Sequence, residues 1–255
     1  MTAPIQYDFS GKVVCITGGS RGLGHSMALG FAQAGAKLAI ASRKIDSCEA
    51  TVKEIRALGS DGSAHGIHVG KWDDCNRLYE EVYAKWGRCD VLINNAGLSP
   101  LYPSLVEHTE DLFDKVIGVN LKGPFRLSAL FGAKMAAGEG GAIINVSSIS
   151  SIRPSHTTAP YSAAKAGLNA ITLAFANEYG PKVRVNCIMA GPFHTDISKG
   201  WSRTPEFTER ARKNYASGRA GEPDEIVGAA LYFASPAASF TTGAVLIVDG
   251  GQTSW

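Results

Sequence analysis

Short apolar segments recur along this chain, and segments of helical length separate most of them. The apolar segments cover residues 12–17, 37–41, 65–69, 90–94, 142–147, 183–189 and 244–248, and the helical patterns between them cover residues 22–34, 46–58, 73–86, 109–137 and 160–179. Several apolar segments are almost continuous in Val, Ile, Leu and Ala, which is typical of strands in a parallel sheet that is covered on both faces. The alternation predicts an α/β fold, with helices flanking a doubly wound sheet.

Length and composition narrow the class of protein. A chain of 255 residues can bury a core without a disulfide or metal, and we find no linker or repeat, so we expect residues 1–255 to form a single domain. The formal net charge of +2, with both signs interspersed, disfavours nucleic acid and anionic membranes as partners. The five cysteines have no paired spacing, which is typical of proteins with reduced thiols.

The expected location follows from what the sequence lacks. The N-terminal residues show neither the basic nor the apolar region of a signal peptide. No stretch has the roughly 18 uncharged apolar residues of a membrane helix. We therefore expect a cytoplasmic protein.

A glycine-rich segment follows the first predicted strand directly. It has the sequence Thr17-Gly18-Gly19-Ser20-Arg21-Gly22-Leu23-Gly24, and an Ala-rich helical pattern comes next. Glycines at such a turn allow a tight bend, close approach of the backbone to a pyrophosphate, and close packing of helix on strand. The helix N-terminus adds unpaired N–H groups and the positive end of the helix dipole. This position in the chain favours dinucleotide binding over an ordinary glycine-rich loop.

The end of the second predicted strand indicates which dinucleotide binds. A site for NAD usually has an acidic residue about 20 positions after the glycine loop, where it binds the ribose. This chain has Ser42 there, followed by Arg43 and Lys44, and Arg21 lies in the loop itself. A guanidinium suits a ribose 2′-phosphate, which a carboxylate would repel. We predict NADP(H) as the preferred cofactor, with NAD(H) as the alternative; Arg43 and Lys44 could instead form a solvated helix start.

A tyrosine, a lysine and a serine form the candidate catalytic group. Tyr161 and Lys165 are four residues apart in a predicted helix, so they share a face on which the ammonium and an oxidised nicotinamide ring would favour the phenolate. Such a pair is common by chance, and its neighbours give it weight. Ser148, with Ser147 as the rival position, ends a predicted strand at the edge where doubly wound folds bind ligands. Its hydroxyl can donate to a substrate carbonyl oxygen; a capping or loop role is the alternative.

Side-chain amides mark two further positions. Asn120 falls within the predicted helix 109–137, where asparagine is unfavourable unless its side chain has a role. The fourth predicted strand ends in Asn94-Asn95-Ala96-Gly97, at the sheet edge where adenosine would lie.

Together, these motifs resemble those of the short-chain dehydrogenase/reductases, in particular their shorter single-domain type. They lie in order along nearly the whole chain and comprise Thr17–Gly24, Asn94–Gly97, Asn120, Ser148, Tyr161–Lys165, Val185-Asn186 with Gly191 and Thr195, and Val248-Asp249-Gly250-Gly251. The resemblance implies a Rossmann-type fold with a largely parallel seven-stranded sheet, and a homo-oligomer, either a tetramer or a dimer. It also implies hydride transfer between NADP(H) and a small-molecule carbonyl or alcohol.

The resemblance assigns roles to individual residues. It implies that Tyr161 is the general acid/base and that Ser148 polarises the substrate oxygen. Lys165 would lower the pKa of Tyr161 and hold the nicotinamide ribose, Asn120 would anchor a water in a proton relay, and Thr195 would bind the nicotinamide carboxamide. The residues expected to bind cofactor are Thr17, Gly18, Ser20, Arg21, Gly22, Leu23, Gly24, Ser42, Arg43, Lys44, Asn94, Ala96, Gly97, Tyr161, Lys165, Gly191 and Thr195.

The sequence also departs from the family pattern. His68 stands where the family often has an Asp that contacts adenine, and Ala190 stands where Pro usually precedes the glycine. Residues 195–216 lack a strand pattern and combine three aromatic side chains with five cationic ones, which predicts a substrate lid. Residues 98–102 and 152–156 are expected to line the substrate pocket with it.

Several alternatives bear on function. The chain could be a catalytically idle dinucleotide sensor, although a sensor has no need of the serine, the tyrosine and the lysine together. A narrower enzymatic alternative is a 3-oxoacyl-(acyl-carrier-protein) reductase. The longer epimerase type is disfavoured by the glycine spacing and by the chain length. A metal site at His65 and His68 is disfavoured because no cysteine or carboxylate completes a ligand set.

Overall fold

The computed structural model describes residues 7–253; residues 1–6, on which the expectation of no signal peptide largely depends, and residues 254–255 lie outside the described range. The strands are β1 (Val13–Thr17), β2 (Lys37–Ser42), β3 (Gly62–Gly66), β4 (Val91–Asn94), β5 (Gly141–Ser148), β6 (Val183–Ala190) and β7 (Val245–Val248). They form one sheet in the order β3-β2-β1-β4-β5-β6-β7, and every neighbouring pair is parallel. The predicted doubly wound, seven-stranded α/β fold is confirmed.

Eight α-helices in the described range accompany the sheet. They are α1 (Gly22–Gln33), α2 (Ile45–Ala57), α3 (Trp72–Trp86), α4 (Glu110–Ile117), α5 (Gly123–Ala137), α6 (Ala159–Tyr179), α7 (Pro205–Asn214) and α8 (Val227–Ala234). Apolar side chains of α1, α2 and α8 pack on one face of the sheet, and those of α3, α5 and α6 pack on the other. Since both faces are covered, the central strands are buried throughout, which explains their continuous apolar sequences. No described helix is long and apolar enough to cross a membrane.

The third strand lies earlier in the chain than predicted. The prediction was residues 65–69, whereas β3 covers Gly62–Gly66 and pairs with β2 up to Ser42. The apolar residues Ile67 and Val69, which suggested the strand, are buried in the loop that follows it. This loop leaves the edge of the sheet and turns into α3. The apolar residues of this buried connecting segment therefore produced a pattern that is typical of a strand.

The predicted helix over residues 109–137 is interrupted at its centre. A π-helical turn, Gly118–Lys122, separates α4 from α5, and in it the N–H of Gly123 donates to the carbonyl oxygen five residues earlier. Pro124 follows in the first turn of α5 and has no N–H to donate to the carbonyl of Asn120. Asn120 itself lies inside the wider turn. Such turns are frequent at functional sites.

Candidate active site

A cleft of about 1010 Å³ opens at the carboxyl ends of the strands. The strand order reverses between β1 and β4, which is where a doubly wound sheet leaves a crevice for ligands. The glycine loop, the ends of β2, β4, β5 and β6, and the start of residues 195–216 line the cleft.

The glycine loop has the geometry of a phosphate cradle. Gly18 has a φ of +64°, and a Cβ there would lie 2.9 Å from the Cα of Ala96. Gly22 has a φ of +53° and lies against the Thr195 side chain, where a Cβ would meet carbon atoms at 3.4 Å. No side chain caps the N-terminus of α1, and its first turn has no acidic residue. The loop thus leaves backbone N–H groups open to the cleft and fits a pyrophosphate.

Two of the predicted binding residues, Thr17 and Gly24, stabilise the glycine loop through contacts in the protein interior. Thr17 is 1% exposed; its hydroxyl accepts hydrogen bonds from the backbone N–H groups of Asn95 and Ala96, both at 3.1 Å. The Cα of Gly24 packs closely against the loop, because a Cβ there would clash with the carbonyl oxygen of Gly18. Asn95, which was not among the predicted binding residues, donates from its side chain to the carbonyls of Thr17 and Gly18 at 3.0 and 3.2 Å.

The end of the cleft beside β2 contains the predicted basic residues. The hydroxyl of Ser20 donates to that of Ser42 at 3.0 Å, which joins the glycine loop to the end of β2. Arg43 and Lys44 line the cleft, are exposed, and have no ion pair within residues 7–253. Arg21 instead pairs with Asp196 of the predicted lid, with 3.4 Å between Nη1 and Oδ2.

The two histidines considered as metal ligands lie in different surroundings. His68 lines the cleft, and its Nδ1 accepts a hydrogen bond from the N–H of Gly70 at 3.1 Å. His65 is buried on β3, where its ring nitrogens contact Glu81 at 2.6 Å and Ser63 at 2.8 Å. Within residues 7–253, no group of three His, Cys, Asp or Glu residues could hold a metal ion.

Tyr161, Lys165 and Ser148 meet at the other end of the cleft. Tyr161 and Lys165 share one face of α6, with the ammonium 5.7 Å from the centre of the phenol ring. Lys165 is 3% exposed, and its Nζ donates to the carbonyl of Val146 at 2.7 Å. Burial lowers the pKa of Lys165 to about 8, because a charged ammonium loses its hydration there.

Burial of the phenol acts against the lowered pKa that the sequence predicts for Tyr161. Burial raises the pKa of Tyr161 above its ordinary value, and the neighbouring Ser148 hydroxyl opposes that rise. The prediction counted the ammonium of Lys165 together with the positive charge of an oxidised nicotinamide. In the chain itself, desolvation of the phenolate dominates, and the ammonium donates to a backbone carbonyl instead.

The structure separates Ser148 from its rival, Ser147. Ser148 ends β5, lines the cleft and interacts with Tyr161. The hydroxyl of Ser147 donates to the backbone carbonyl of Lys165 at 3.2 Å, so it fixes the helix to the strand. Of these two serines, Ser148 is the one whose hydroxyl interacts with the phenol of Tyr161.

Asn120 lies buried beneath the end of the cleft that contains Tyr161, Lys165 and Ser148. It is fully buried, and its amide donates to the carbonyls of Leu98 at 2.8 Å and Val116 at 2.9 Å. A Cβ on Gly97 would lie 3.0 Å from Oδ1 of Asn120 and 3.7 Å from Nζ of Lys165. The π-helical turn, the end of β4 and the lysine are therefore in close contact.

Asn94 does not reach the cleft through its side chain, contrary to its predicted role. Its amide donates to Ser128 at 3.0 Å and to Asn145 at 2.9 Å, in the interior between the sheet and α5. Successive side chains of a strand point to opposite faces. At the end of β4, the side chain of Asn94 therefore points into the core and that of Asn95 points towards the glycine loop.

The hydroxyl of Tyr102 connects two segments beside the cleft, a role that the sequence did not predict. Its hydroxyl accepts a hydrogen bond from the N–H of Ala159 at 2.9 Å and donates to the carbonyl of His156 at 2.5 Å. It thereby joins the loop after β4 to the first turn of α6, two residues before Tyr161. Spacing gives no signal for this contact, because its partners lie more than 50 residues away.

The chain has this fold and this cleft, and comparison with known proteins shows that it belongs to the short-chain dehydrogenase/reductase family of oxidoreductases. A family model described as enoyl-(acyl carrier protein) reductase matches residues 18–253. The chain is 36% identical over 248 residues to a 2-dehydro-3-deoxy-D-gluconate 5-dehydrogenase of Pseudoalteromonas atlantica, covering 96% of this chain and 97% of that protein. It is 35% identical to a 3-oxoacyl-(acyl-carrier-protein) reductase of Thermotoga maritima, covering 94% and 97% respectively.

A solved structure gives the same result. A gluconate 5-dehydrogenase from Burkholderia cenocepacia, in complex with NADP and tartrate, superimposes with a TM-score of 0.92 at 30% identity and covers 98% of both chains.

Proposed function

We propose that the protein transfers a hydride between NADP(H) and a carbonyl or secondary alcohol substrate. The observation that carries the proposal is the meeting of Ser148, Tyr161 and Lys165 in one cleft with the uncapped N-terminus of α1. The complex of the Burkholderia relative with NADP supports the choice of cofactor class.

The cleft residues divide into binding and proton-transfer groups. The backbone from Gly18 to Gly22 would hold the pyrophosphate, and Thr195, which packs against Gly22, would contact the nicotinamide end. A bound nicotinamide supplies or accepts the hydride. The remaining chemistry is movement of one proton to or from the substrate oxygen, together with stabilisation of the charge on that oxygen.

Tyr161 would carry that proton. Because burial raises its pKa, the phenol is protonated at neutral pH and ready to donate during carbonyl reduction. Ser148 would donate a second hydrogen bond to the same oxygen. The ammonium of Lys165, with a pKa of about 8, is mostly charged at neutral pH and would stabilise the phenolate left behind. Asn120 would anchor a water in the proton relay, and its side chain holds the carbonyls of Leu98 and Val116.

A panel of carbonyls and alcohols, assayed with NADPH and with NADP⁺ by nicotinamide absorbance, tests this function. Turnover of at least one carbonyl or secondary alcohol is the expected result. Cofactor binding without turnover of any panel member would favour the idle sensor. The relative from Thermotoga maritima favours one second candidate, a 3-oxoacyl-(acyl-carrier-protein) reductase, and selective turnover of the carrier-bound substrate would identify it.

We further propose that residues 195–216 form a lid. Phe207, Ala211 and Tyr215 form a small apolar cluster with Ala220 that is separate from the two cores against the sheet. Trp201 extends this cluster, with its ring 5.1 Å from that of Phe207. Because the segment has its own core, it can move over the cleft without disturbing the sheet.

Cofactor binding should slow amide hydrogen exchange across residues 195–216 more than in β5. The reason is that a lid gains contacts with cofactor, whereas β5 is already protected by two neighbouring strands. Exchange is measured by mass spectrometry with and without NADPH. Equal exchange of the lid in both states would contradict the proposal.

We also propose a cytoplasmic homo-oligomer, a tetramer or a dimer. The last strand, β7, is an edge strand whose Val245, Leu246 and Ile247 are 39%, 38% and 44% exposed. Phe240, just before it, is fully exposed. A contiguous apolar edge of this kind marks an association surface.

Light scattering is expected to give two or four times the chain mass of 26.9 kDa. Leu246→Lys should shift the protein towards the monomer, because a charge on the edge strand opposes pairing. Leu58→Lys, on an exposed side chain after α2, is the matched control and should leave the mass unchanged. A wild-type monomer at assay concentration would overturn the proposal.

A further inference from the structure

The helix face that carries Tyr161 and Lys165 carries a third polar side chain. Asn169 follows Lys165 by four residues and Tyr161 by eight, so the three side chains lie along the same side of α6. Asparagine is an unfavourable residue inside a helix, and Asn169 has no role in the chemistry described above. Its hydrogen bonds lead instead to the turn that begins at Ser148.

The amide of Asn169 contacts the turn that follows β5. Its Nδ2 donates to the hydroxyl of Ser151 at 3.0 Å, and that hydroxyl donates to the backbone carbonyl of Ser148 at 2.7 Å. Within the same turn, the N–H of Ser150 donates to the hydroxyl of Ser148 at 3.2 Å. The backbone and the side chain of Ser148 are therefore both bonded to a turn that Asn169 connects to α6.

A buried thiol sets the orientation of this amide. Cys187 of β6 is 0% exposed, and its Sγ donates to Oδ1 of Asn169 at 3.4 Å. Burial raises the pKa of Cys187 to about 11, so the thiol is protonated at neutral pH and can supply that hydrogen. With Oδ1 directed towards β6, the Nδ2 group is directed towards Ser151.

Asn169 extends the contacts between α6 and β5 beyond the end of the strand. Lys165 makes two hydrogen bonds to residues 146–147, one from its ammonium and one to its backbone carbonyl. These bonds hold the strand as far as the residue before Ser148. The turn after Ser148 is held to the same helix by the amide of Asn169.

We propose that Asn169 is a positioning residue, which fixes the hydroxyl of Ser148 beside the phenol of Tyr161 by holding Ser151. This inference rests on the proposed oxidoreductase function. Because the helix that carries Tyr161 and Lys165 also holds the serine turn, one rigid element sets the positions of all three groups. A hydroxyl displaced by about 1 Å donates poorly to a substrate oxygen, and errors of this size can lower a rate by about 100-fold.

Asn169→Ala should lower kcat by about 10-fold to 100-fold for the panel carbonyl that the wild type reduces fastest. Affinity for NADPH, measured by fluorescence titration, should stay within a few-fold of wild type. Ser151→Ala should give a similar loss of kcat, and Ser151→Thr, which keeps the hydroxyl, should lose much less. Asn177→Ala is the matched control, since Asn177 is exposed on the same helix, and it should leave kcat unchanged.

A double-mutant cycle with Ser148→Ala tests whether Asn169 acts through that serine. Ser148→Ala alone should cost more than Asn169→Ala. Adding Asn169→Ala to it should change kcat by less than about 2-fold, because the hydroxyl that Asn169 positions is already absent. The same loss in both backgrounds, or no loss in Asn169→Ala, would overturn the inference and leave the oxidoreductase function intact.

Hydrogen exchange gives a readout that needs no substrate. The N–H groups of residues 150, 152 and 153 are all bonded within the turn. In Asn169→Ala, a peptide covering residues 149–153 should exchange faster than in Asn177→Ala, whereas residues 142–146 of β5 should exchange as in wild type. Unchanged exchange of the turn would overturn the inference. Faster exchange of the turn, in a protein whose wild type reduces no panel carbonyl, would support the contact and overturn the oxidoreductase function.

Discussion

Replacing Tyr161 with Phe is expected to lower kcat by about 100-fold to 10,000-fold, the range that general acid–base catalysis usually contributes. The change removes one hydroxyl and keeps the ring that packs beside Lys165. Affinity for NADPH should stay within a few-fold of wild type, because the pyrophosphate cradle lies at the other end of the cleft. Steady-state kinetics and a fluorescence titration with NADPH measure the two quantities. Turnover close to wild type would exclude Tyr161 as the proton donor.

A second tyrosine of the same region provides the control. Tyr102→Phe also removes one hydroxyl, and it costs two hydrogen bonds at the start of α6 without touching the proton-transfer group. We expect it to lower stability by about 1 kcal/mol and to change kcat far less than Tyr161→Phe does. Equal losses of kcat in the two variants would mean that helix position, and not the phenolic proton, limits the reaction.

The pH dependence should separate the two directions of reaction. Oxidation of an alcohol requires the phenolate, and burial raises the pKa of Tyr161, so the oxidation rate should increase with pH up to the point where the phenol ionises. Reduction requires the protonated phenol and should fall over the same range. The part of each pH dependence that comes from the phenol should be absent in Tyr161→Phe, whereas any part that comes from Lys165 should remain.

The sequence predicted those parts of the site whose residues lie close together in the chain. The glycine loop lies between a strand and a helix that are adjacent in the chain, so its residues could be placed at the switch point of the sheet. Tyr161 and Lys165 share a helix face because four residues make about one turn. Ser148 follows from its position at the end of β5, which the apolar run of that strand already indicated.

Long-range contacts explain what the sequence did not predict. Thr17 and Asn94 each end a strand near the cleft, but their partners come from other strands and helices, and these partners direct both side chains inward. Asn120 lies in the π-helical turn, and its amide donates to the carbonyl of Leu98, 22 residues earlier in the chain. Ile67 belongs to a buried loop because β2 ends at Ser42, which no local pattern reveals. In each case the deciding contact joins residues that are distant in the chain.

NADPH should bind more tightly than NADH by about 10- to 150-fold, because a charge-assisted hydrogen bond contributes about 1.5–3 kcal/mol. At the end of β2, Ser42 provides a hydroxyl and no negative charge, and Arg43 and Lys44 are exposed at the cleft without an ion pair in the described range. Arg21 would have to leave Asp196 to reach a 2′-phosphate. That exposed pair is worth only about 0–1 kcal/mol, so its loss would not cancel the gain.

Ser42→Asp combined with Arg43→Ala should reverse the preference, since the new carboxylate repels a 2′-phosphate and accepts hydrogen bonds from free ribose hydroxyls. Because Ser42 packs within 3.0 Å of both Ser20 and Cys48, the melting temperature of the variant is measured alongside. Arg203→Ala, on an exposed residue of the proposed lid that does not line the cleft, is the control for removing a positive charge and should keep the wild-type preference. Titration with both reduced cofactors decides the matter: equal affinity in wild type would mean that Arg43 stacks on the adenine that both cofactors share, and tighter NADH would refute the assignment altogether.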